Sequence, residues 1–298
     1  MRIPARNEID AHLARRLVHE QFPEWSQLHV ADVELPGWDN KTFRLGDNML
    51  VRLPSGEPYA AQVEKEQEWL PRLAQHLPVP IPTPLARGRS SETFPWPWSV
   101  YRWIDGELAA TANLDDPVAF ASDVAGFLRA LEGISAEGGP VPGWHCFHRG
   151  GDLSVYDGET KEALEILRNT VDVEACRRIW DRALSTSWSH SPVWVHGDVA
   201  LGNLLVKGGR LTAVIDFGCS CIGDPACDLV IAWTALRDED REMFVESLEL
   251  DSDTWARGRA WALWKALKQL AGSDREGRSG SEHQIVIDKL IEDQIAPR

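Results

Sequence analysis

No run of 18 apolar residues occurs in this 298-residue chain, which excludes a membrane-spanning helix. The opening residues, MRIPARNEID, lack the apolar stretch of a secretory signal, so a soluble protein of the cytoplasm with no membrane partner is expected. Cysteine is sparse, at five residues, an odd number scattered along the chain. Cys219, Cys221 and Cys227 fall close together but at spacings that match no usual zinc pattern, so the cysteines read as small core thiols rather than metal or redox groups. Runs of Lys or Arg are absent as well, and 46 acidic against 31 basic residues leave a net charge of −15, which argues against a nucleic-acid partner. Such a balance suits a cationic small molecule, although a solvated acidic surface that aids solubility accounts for it equally well. The 43% apolar and 26% charged content is ordinary for a globular chain, and the length suffices for one bilobal unit with a large core.

The most informative stretch is WVHGDVALGNLLVKGGRLTAVIDFGCSCIGDPACD, residues 194–228. His196-Gly197-Asp198 ends an apolar run, Asn203 follows five residues after Asp198, and Asp216 closes a second apolar run. Gly208-Gly209 between the runs is a turn signal, so residues 204–206 and 211–215 are expected to pair as a β-hairpin. The hairpin returns Asn203 and Asp216 to one end of two paired strands, beside the loop that carries Asp198. An Asn carbonyl and an Asp carboxylate are hard oxygen donors that, with nucleotide phosphates, make a fitting shell for magnesium. Asp198 is then left to accept a hydroxyl proton and aim that oxygen at a γ-phosphate.

In these elements the chain resembles the aminoglycoside phosphotransferase family of kinase-like enzymes. The resemblance lies in His196-Gly197-Asp198, Asn203, Ile215-Asp216-Phe217-Gly218, Gly223-Asp224-Pro225 and Asp228, in that order and spacing. It implies an α+β, bilobal, protein-kinase-like fold, with a nucleotide-binding N-lobe over residues 1–103, built on a five-stranded-type antiparallel sheet and a helix. A larger helical C-lobe over residues 104–298 would carry the catalytic loop, metal site and acceptor-binding helices. The implied donor is ATP or GTP with Mg2+, Asp198 the catalytic residue, and Asn203 and Asp216 the metal ligands. The loop with Gly37, Asp39 and Asn40 would lie over the phosphates. Arg52 stands where the family usually has Lys, a substitution that keeps the charge but changes the geometry. Glu66 would pair with Arg52, although Glu64 or Glu68 on the same predicted helix are alternatives. The adenine edge would meet the backbone of Arg102 and Ile104, with Tyr101 behind them narrowing the pocket and leaving ATP versus GTP open. His196 would fix the loop backbone, and Asp224 and Asp228 would brace the catalytic loop.

Apolar periodicity predicts helices over residues 8–22, 60–76, 116–131, 161–169, 174–184, 226–236, 239–248, 254–271 and 282–295. Residues 35–40 read as a turn, 41–45 and 48–53 as a hairpin, and 98–104 as a strand leading to a hinge at Asp105-Gly106. Pro78, Pro80, Pro82 and Pro84 make a stiff connector. Residues 137–152 lie where the family inserts segments that contact the acceptor. His145 and His148 there lack a third ligand at metal spacing and read as structural or surface residues. Residues 273–282 read as a polar loop near the entrance. Of fourteen tryptophans most must be core, with Trp255, Trp261 and Trp264 on one predicted helix available as a pocket wall. Asp152, Asp157, Glu159, Glu162, Asp238, Glu239 and Asp240 are candidate acceptor-binding carboxylates.

Protein kinases place Arg where Gly197 stands and a long segment after Asp-Phe-Gly; the eight positions from Asp216 to Asp224 leave no room for one, so a small-molecule acceptor is expected. The resemblance implies an antibiotic hydroxyl, of an aminoglycoside or else a macrolide. A metabolite kinase of the choline or homoserine kind is the rival, and a nucleotide-binding pseudokinase scaffold, suggested by Arg52, the reading from another class. A monomer or homodimer is expected.

Overall fold

The computed structural model describes residues 3–33, 37, 39–275 and 279–295. The N-terminal lobe opens with α1 (Ala11–Gln21), whose Asp10 cap accepts the Leu13 N–H at 2.8 Å and whose Leu13, Ala14, Leu17 and Val18 are buried. Strands β1 (Val30–Asp32), β2 (Asn40–Leu45) and β3 (Met49–Pro54) follow, then α2 (Glu57–Leu73), β4 (Pro84–Gly88) and β5 (Trp98–Arg102). They form an antiparallel sheet in the order β1-β2-β3-β5-β4, with α1 packed on it over Leu17, Leu45, Leu53 and Trp98. The predicted turn at 35–40 lies outside the described residues at Leu35, Pro36 and Trp38. The predicted strand over 98–104 stops at Arg102, where Trp103 gives its N–H to Asn48 O at 2.8 Å and the chain leaves the sheet.

The proline connector is irregular, as proline without a backbone donor requires, and it is pinned to both lobes: Thr83 O accepts from Arg102 N and Pro80 O from Val214 N, at 2.9 and 3.1 Å. Beyond it come β6 (Glu107–Leu108), α3 (Pro117–Glu132), α4 (Asp157–Ile166), α5 (Val173–Leu184), β7 (Val193–Val195), β8 (Leu204–Lys207), β9 (Arg210–Val214) and β10 (Cys221–Gly223). The chain finishes with α6 (Ile231–Thr234), α7 (Asp238–Leu248), α8 (Ser252–Arg275) and α9 (Ser281–Ile295). This helical lobe packs around Phe120, Phe127, Trp194, Phe217 and Trp261, with β8, β9 and β6 as one small sheet and β7–β10 as another.

Two helix expectations are corrected. Over 226–236 the chain is a 3-10 turn (Pro225–Val230) followed by the single turn of α6, because Asp224 caps the turn through Ala226 N at 3.0 Å and Asp228 is drawn inward to accept the His196 N–H. The polar loop expected over 273–282 is shorter, since α8 runs on to Arg275 with Ser273 buried, and α9 already includes Ser281 and Glu282. Among the described residues no helix is long and apolar enough to cross a membrane. All five cysteines are buried and unpaired.

Candidate active site

The β8–β9 hairpin turns at Gly208 and Gly209, both at positive φ, and pairs Leu204 with Val214 at its far end. One further bond, Ile215 N to Asn203 O at 2.9 Å, holds the residues before and after the strands together, so Asn203 and Asp216 emerge side by side. The Asn203 amide nitrogen donates to the Asp198 main-chain oxygen at 2.9 Å and to its Oδ2 at 3.2 Å, which leaves the amide oxygen available for a hard cation. Asp198 is thus bonded to Asn203, and Asn203 and Asp216 line the same cleft.

Asp216 adopts a left-handed backbone, φ 66°, a conformation that costs a non-glycine residue about 1 kcal/mol or more. Its neighbours hold it there. The His196 ring meets Ile215 O at 3.0 Å through Nε2, while Nδ1 accepts the Asp198 N–H at 3.2 Å, which assigns the proton to Nε2. On the other side Lys65 of α2, itself buried, donates to Gly218 O at 2.7 Å and Ser220 O at 2.9 Å. Lys65 therefore ties α2 to the loop after Asp216, a link without a sequence signal beyond its place beside Glu66.

The loop before Asp198 is held from below. Asp228 accepts the N–H groups of His196 and Gly197, both at 2.7 Å, and Gly197 sits at φ 83°, where a Cβ would stand 2.5 Å from Cys219 O. Only glycine fits that position. Asp224 anchors the next turn through an ion pair with buried Arg257 at 2.6 Å.

Across the cleft, Arg52 of β3 donates to Glu66 Oε1 at 3.0 Å and to Asp216, and the Asn40 amide, with its oxygen turned toward the guanidinium, accepts from Nη2 and Nε at 3.0 and 3.2 Å. Burial opposes the charge on Arg52, but Asp216 and Glu66 outweigh it and hold its pKa above the usual value. Glu66 is fixed from its other oxygen by the Tyr101 hydroxyl. Glu64 and Glu68 are engaged elsewhere, with Arg87 and Arg72, so Glu66 is the carboxylate that faces Arg52. Gly37, Asn40, Arg52, Tyr101, Arg102 and Ile104 all line one cleft of about 700 Å³ that reaches Asn203 and Asp216. Arg102 has given its N–H to Thr83, whereas the Ile104 N–H has no partner among the described residues and is open to a ligand edge. Asp39 is set differently: burial, then the charges of Asp216 and Asp198 among other groups, push its carboxyl up to about 6.

Two cations beside Asp198 carry no motif signal. Lys265 of α8 places Nζ 2.8 Å from Asp198 Oδ1, and Arg149 lies near the same carboxylate. Burial pushes the Asp198 carboxyl up, but Lys265, Arg149 and His196 together hold it below the ordinary range, so the group is anionic at neutral pH. Trp261 and Trp264, expected as core or pocket wall, are buried and line the recess next to Asp198, whereas Trp255 packs against Trp233 and Phe244. Several candidate acceptor-binding carboxylates have structural partners: Asp152 caps Ser154, Asp157 binds Trp180 and Lys161, Glu159 binds Trp264 and Lys268, Glu162 binds Arg275, and Asp240 caps α7. Among the described residues no three His, Cys, Asp or Glu side chains gather as a metal cluster, His145 and His148 included.

The phosphotransferase enzyme family (APH) matches residues 33–261, well over half of the chain. No match was found among curated proteins. Among solved structures, the GDP and kanamycin complex of APH(2″)-IIia is 21% identical, with a TM-score of 0.72 over 96% of this chain and 99% of that one. The streptomycin-ATP-APH(2″)-IIa ternary complex is 18% identical, at a TM-score of 0.58 over 95% and 96%. Macrolide 2′-phosphotransferase MphH from Brachybacterium faecium is 19% identical, at 0.56 over 88% and 91%. At these identities the likeness is one of fold, and that fold is the bilobal kinase-like one. The hairpin that unites Asp198, Asn203 and Asp216 falls within the matched residues, and the chain belongs to the phosphotransferase enzyme family, whose activity is nucleotide-dependent phosphoryl transfer to the hydroxyl of a small molecule.

Proposed function

We propose that the chain transfers the γ-phosphate of ATP or GTP, with magnesium, to a small-molecule hydroxyl held against Asp198 by the lobe spanning residues 104–298. The observation that carries this reading is the junction at the end of the β8–β9 hairpin, where Asn203 is bonded to Asp198 and tied by its backbone to the residue before Asp216. The free amide oxygen of Asn203 and the carboxylate of Asp216 are hard donors that suit magnesium, which when bound would neutralise phosphate charge. Arg52, buttressed by Glu66 and Asn40, clamps the phosphates from the lobe spanning residues 1–103. Ile104 offers its N–H to the base, and Tyr101, braced on Glu66, closes the back of the pocket.

Asp198 accepts a hydrogen bond from the acceptor hydroxyl and points that oxygen along the line of attack. With its pKa held low by Lys265, the carboxylate is a weak base, so it takes the proton late, after the oxygen–phosphorus bond has begun to form. Catalysis then rests on positioning and charge neutralisation. Antibiotics are the first acceptors to test, since the structural neighbours are described as complexes of kanamycin or streptomycin, or as a macrolide phosphotransferase. Amino alcohols and sugars of metabolism form the second group.

The test is turnover of ATP and of GTP with and without magnesium over that panel, with the phosphate position in each product read by NMR. Magnesium-dependent phosphorylation of one hydroxyl is expected. Nucleotide binding without transfer to any member would favour a scaffold instead.

A further inference from the structure

We propose that the acceptor pocket selects a hydroxyl compound bearing an oxyanion, such as a carboxylate, rather than a polyamine; this rests on the phosphotransferase reading and narrows its substrate class. The chain's overall charge of −15 points the other way, but the acceptor sees only the charges beside Asp198. There the balance is reversed. The recess is lined by Arg149, Asp198, Trp261, Trp264 and Lys265, two cations against one carboxylate, and Lys265 already occupies one oxygen of that carboxylate at 2.8 Å.

Arg149 is left over. Its guanidinium carbon lies 4.6 Å from the Trp264 ring centroid and 5.3 Å from that of Trp261, so the indoles hold it by cation–π contact. Its buried Nη1 has no hydrogen-bond partner, and no carboxylate pairs with the side chain among the described residues. A buried Nη1 donor without an acceptor is costly, and an oxyanion reaching it would supply the missing hydrogen bond. The segment that carries Arg149 is built to stay in place. Cys221 Sγ donates to Arg149 O at 3.0 Å, Asp224 N to Gly150 O at 2.8 Å, and Ile222 N to Pro140 O at 2.9 Å. The recess itself has about 10 Å³ of free space, room for a single oxygen atom rather than a ring. An oxyanion reaching into it would leave the body of the acceptor outside the recess, with its hydroxyl near Asp198. Glu159, a carboxylate beside Trp264 that could otherwise bind an amine, is held by Trp264 Nε1 at 3.2 Å and by Lys268 at 3.0 Å.

The test uses three matched benzyl alcohols whose para substituent is a carboxylate, a hydroxymethyl or an aminomethyl group, titrated calorimetrically into the full chain with magnesium and ADP present. The carboxylate is expected to bind at least about tenfold more tightly than the amine. Arg149→Met should abolish the preference, and Arg149→Lys, which keeps the charge, should retain most of it. A preference for the amine, a preference that survives in Arg149→Met, equal loss in both variants, or no carboxylate binding at millimolar concentration would each overturn the inference. ATP binding and magnesium-dependent ATP turnover by the wild type report separately on the phosphotransferase reading, so the two can fail independently.

Discussion

Replacing Asp198 by Asn tests the proposed chemistry most directly, because both oxygens of this carboxylate are occupied as acceptors: Oδ1 by Lys265 Nζ at 2.8 Å and Oδ2 by Asn203 Nδ2 at 3.2 Å. An amide has one acceptor and one donor end. Whichever way it turns, its NH2 confronts either the Lys265 ammonium or the Asn203 amide, so one contact becomes a donor–donor pair. The structural cost is about 1–2 kcal/mol, the worth of one hydrogen bond in a half-buried site. The catalytic cost is larger: loss of a positioned proton acceptor slows transfer by about 10²–10⁴-fold, or about 3–5 kcal/mol in the barrier. Asn203 keeps its 2.9 Å bond to the Asp198 main-chain oxygen, so its own oxygen stays free for the proposed magnesium. Affinity for magnesium and ATP should therefore change less than about threefold.

The assay is the initial rate of phosphorylated product with magnesium-ATP, beside calorimetric titration of ATP. Lys265→Met supplies the contrast. Lys265 helps to hold the Asp198 carboxyl below its ordinary range, so its removal should move the acidic limb of the kcat profile to higher pH, whereas Asp198→Asn should remove that limb. A rate for Asp198→Asn within about threefold of wild type would refute the role given to Asp198.

Gly197→Ala must place a methyl group 2.5 Å from Cys219 O at φ 83°, so a loss of about 2 kcal/mol or more is expected in chemical denaturation. Asp39→Asn should be stabilising above about pH 6 and neutral below about pH 3.8. The folded protein holds a proton on Asp39 up to about pH 6 that the unfolded chain releases near 3.8, so wild-type stability falls as pH rises through that window. Above it the deficit reaches about 3 kcal/mol at most, and unfolding curves at pH 8 and at pH 3.5 should show the variant gaining in the first and matching wild type in the second. Arg52→Lys supplies one ammonium where a guanidinium serves Glu66, Asp216 and Asn40 together. Nucleotide affinity should fall about tenfold by titration, with unchanged affinity counting against the phosphate clamp.

The half of the candidate site around Asp198, Asn203 and Asp216 was legible because its residues are local in sequence. Asn203 and Asp216 are joined by one hairpin whose Gly208-Gly209 turn and flanking apolar runs are plain pattern, and Asp198 and Asp228 follow at short range. Glu66 was harder, since Glu64, Lys65, Glu66 and Glu68 look interchangeable on a helix until the register of α2 against β3 turns Glu66 inward and sends Glu64 to Arg87. That register depends on Lys65 reaching Gly218 and Ser220, contacts separated by more than 150 positions. The 3-10 turn at Pro225–Val230 hid within a helical apolar pattern because periodicity reports burial on a face, not which hydrogen bonds close the turns.

The acceptor side was illegible for a different reason. Net charge is a property of the whole surface, and most acidic residues that contribute to it are either exposed or paired, as Glu162 is with Arg275 and Asp157 with Lys161. Interaction between exposed charges is screened beyond about 10 Å at ordinary ionic strength, so these carboxylates add little to the potential inside a recess walled by indoles. There the charges that matter are Arg149, which comes from a glycine-rich connector, and Lys265, which comes from a helix over a hundred residues later. Folding brings them to one carboxylate. A chain that is acidic in bulk therefore presents a cationic face at the point where its acceptor must sit, and the sign of that local charge, not of the total, sets which hydroxyl compounds can be held there.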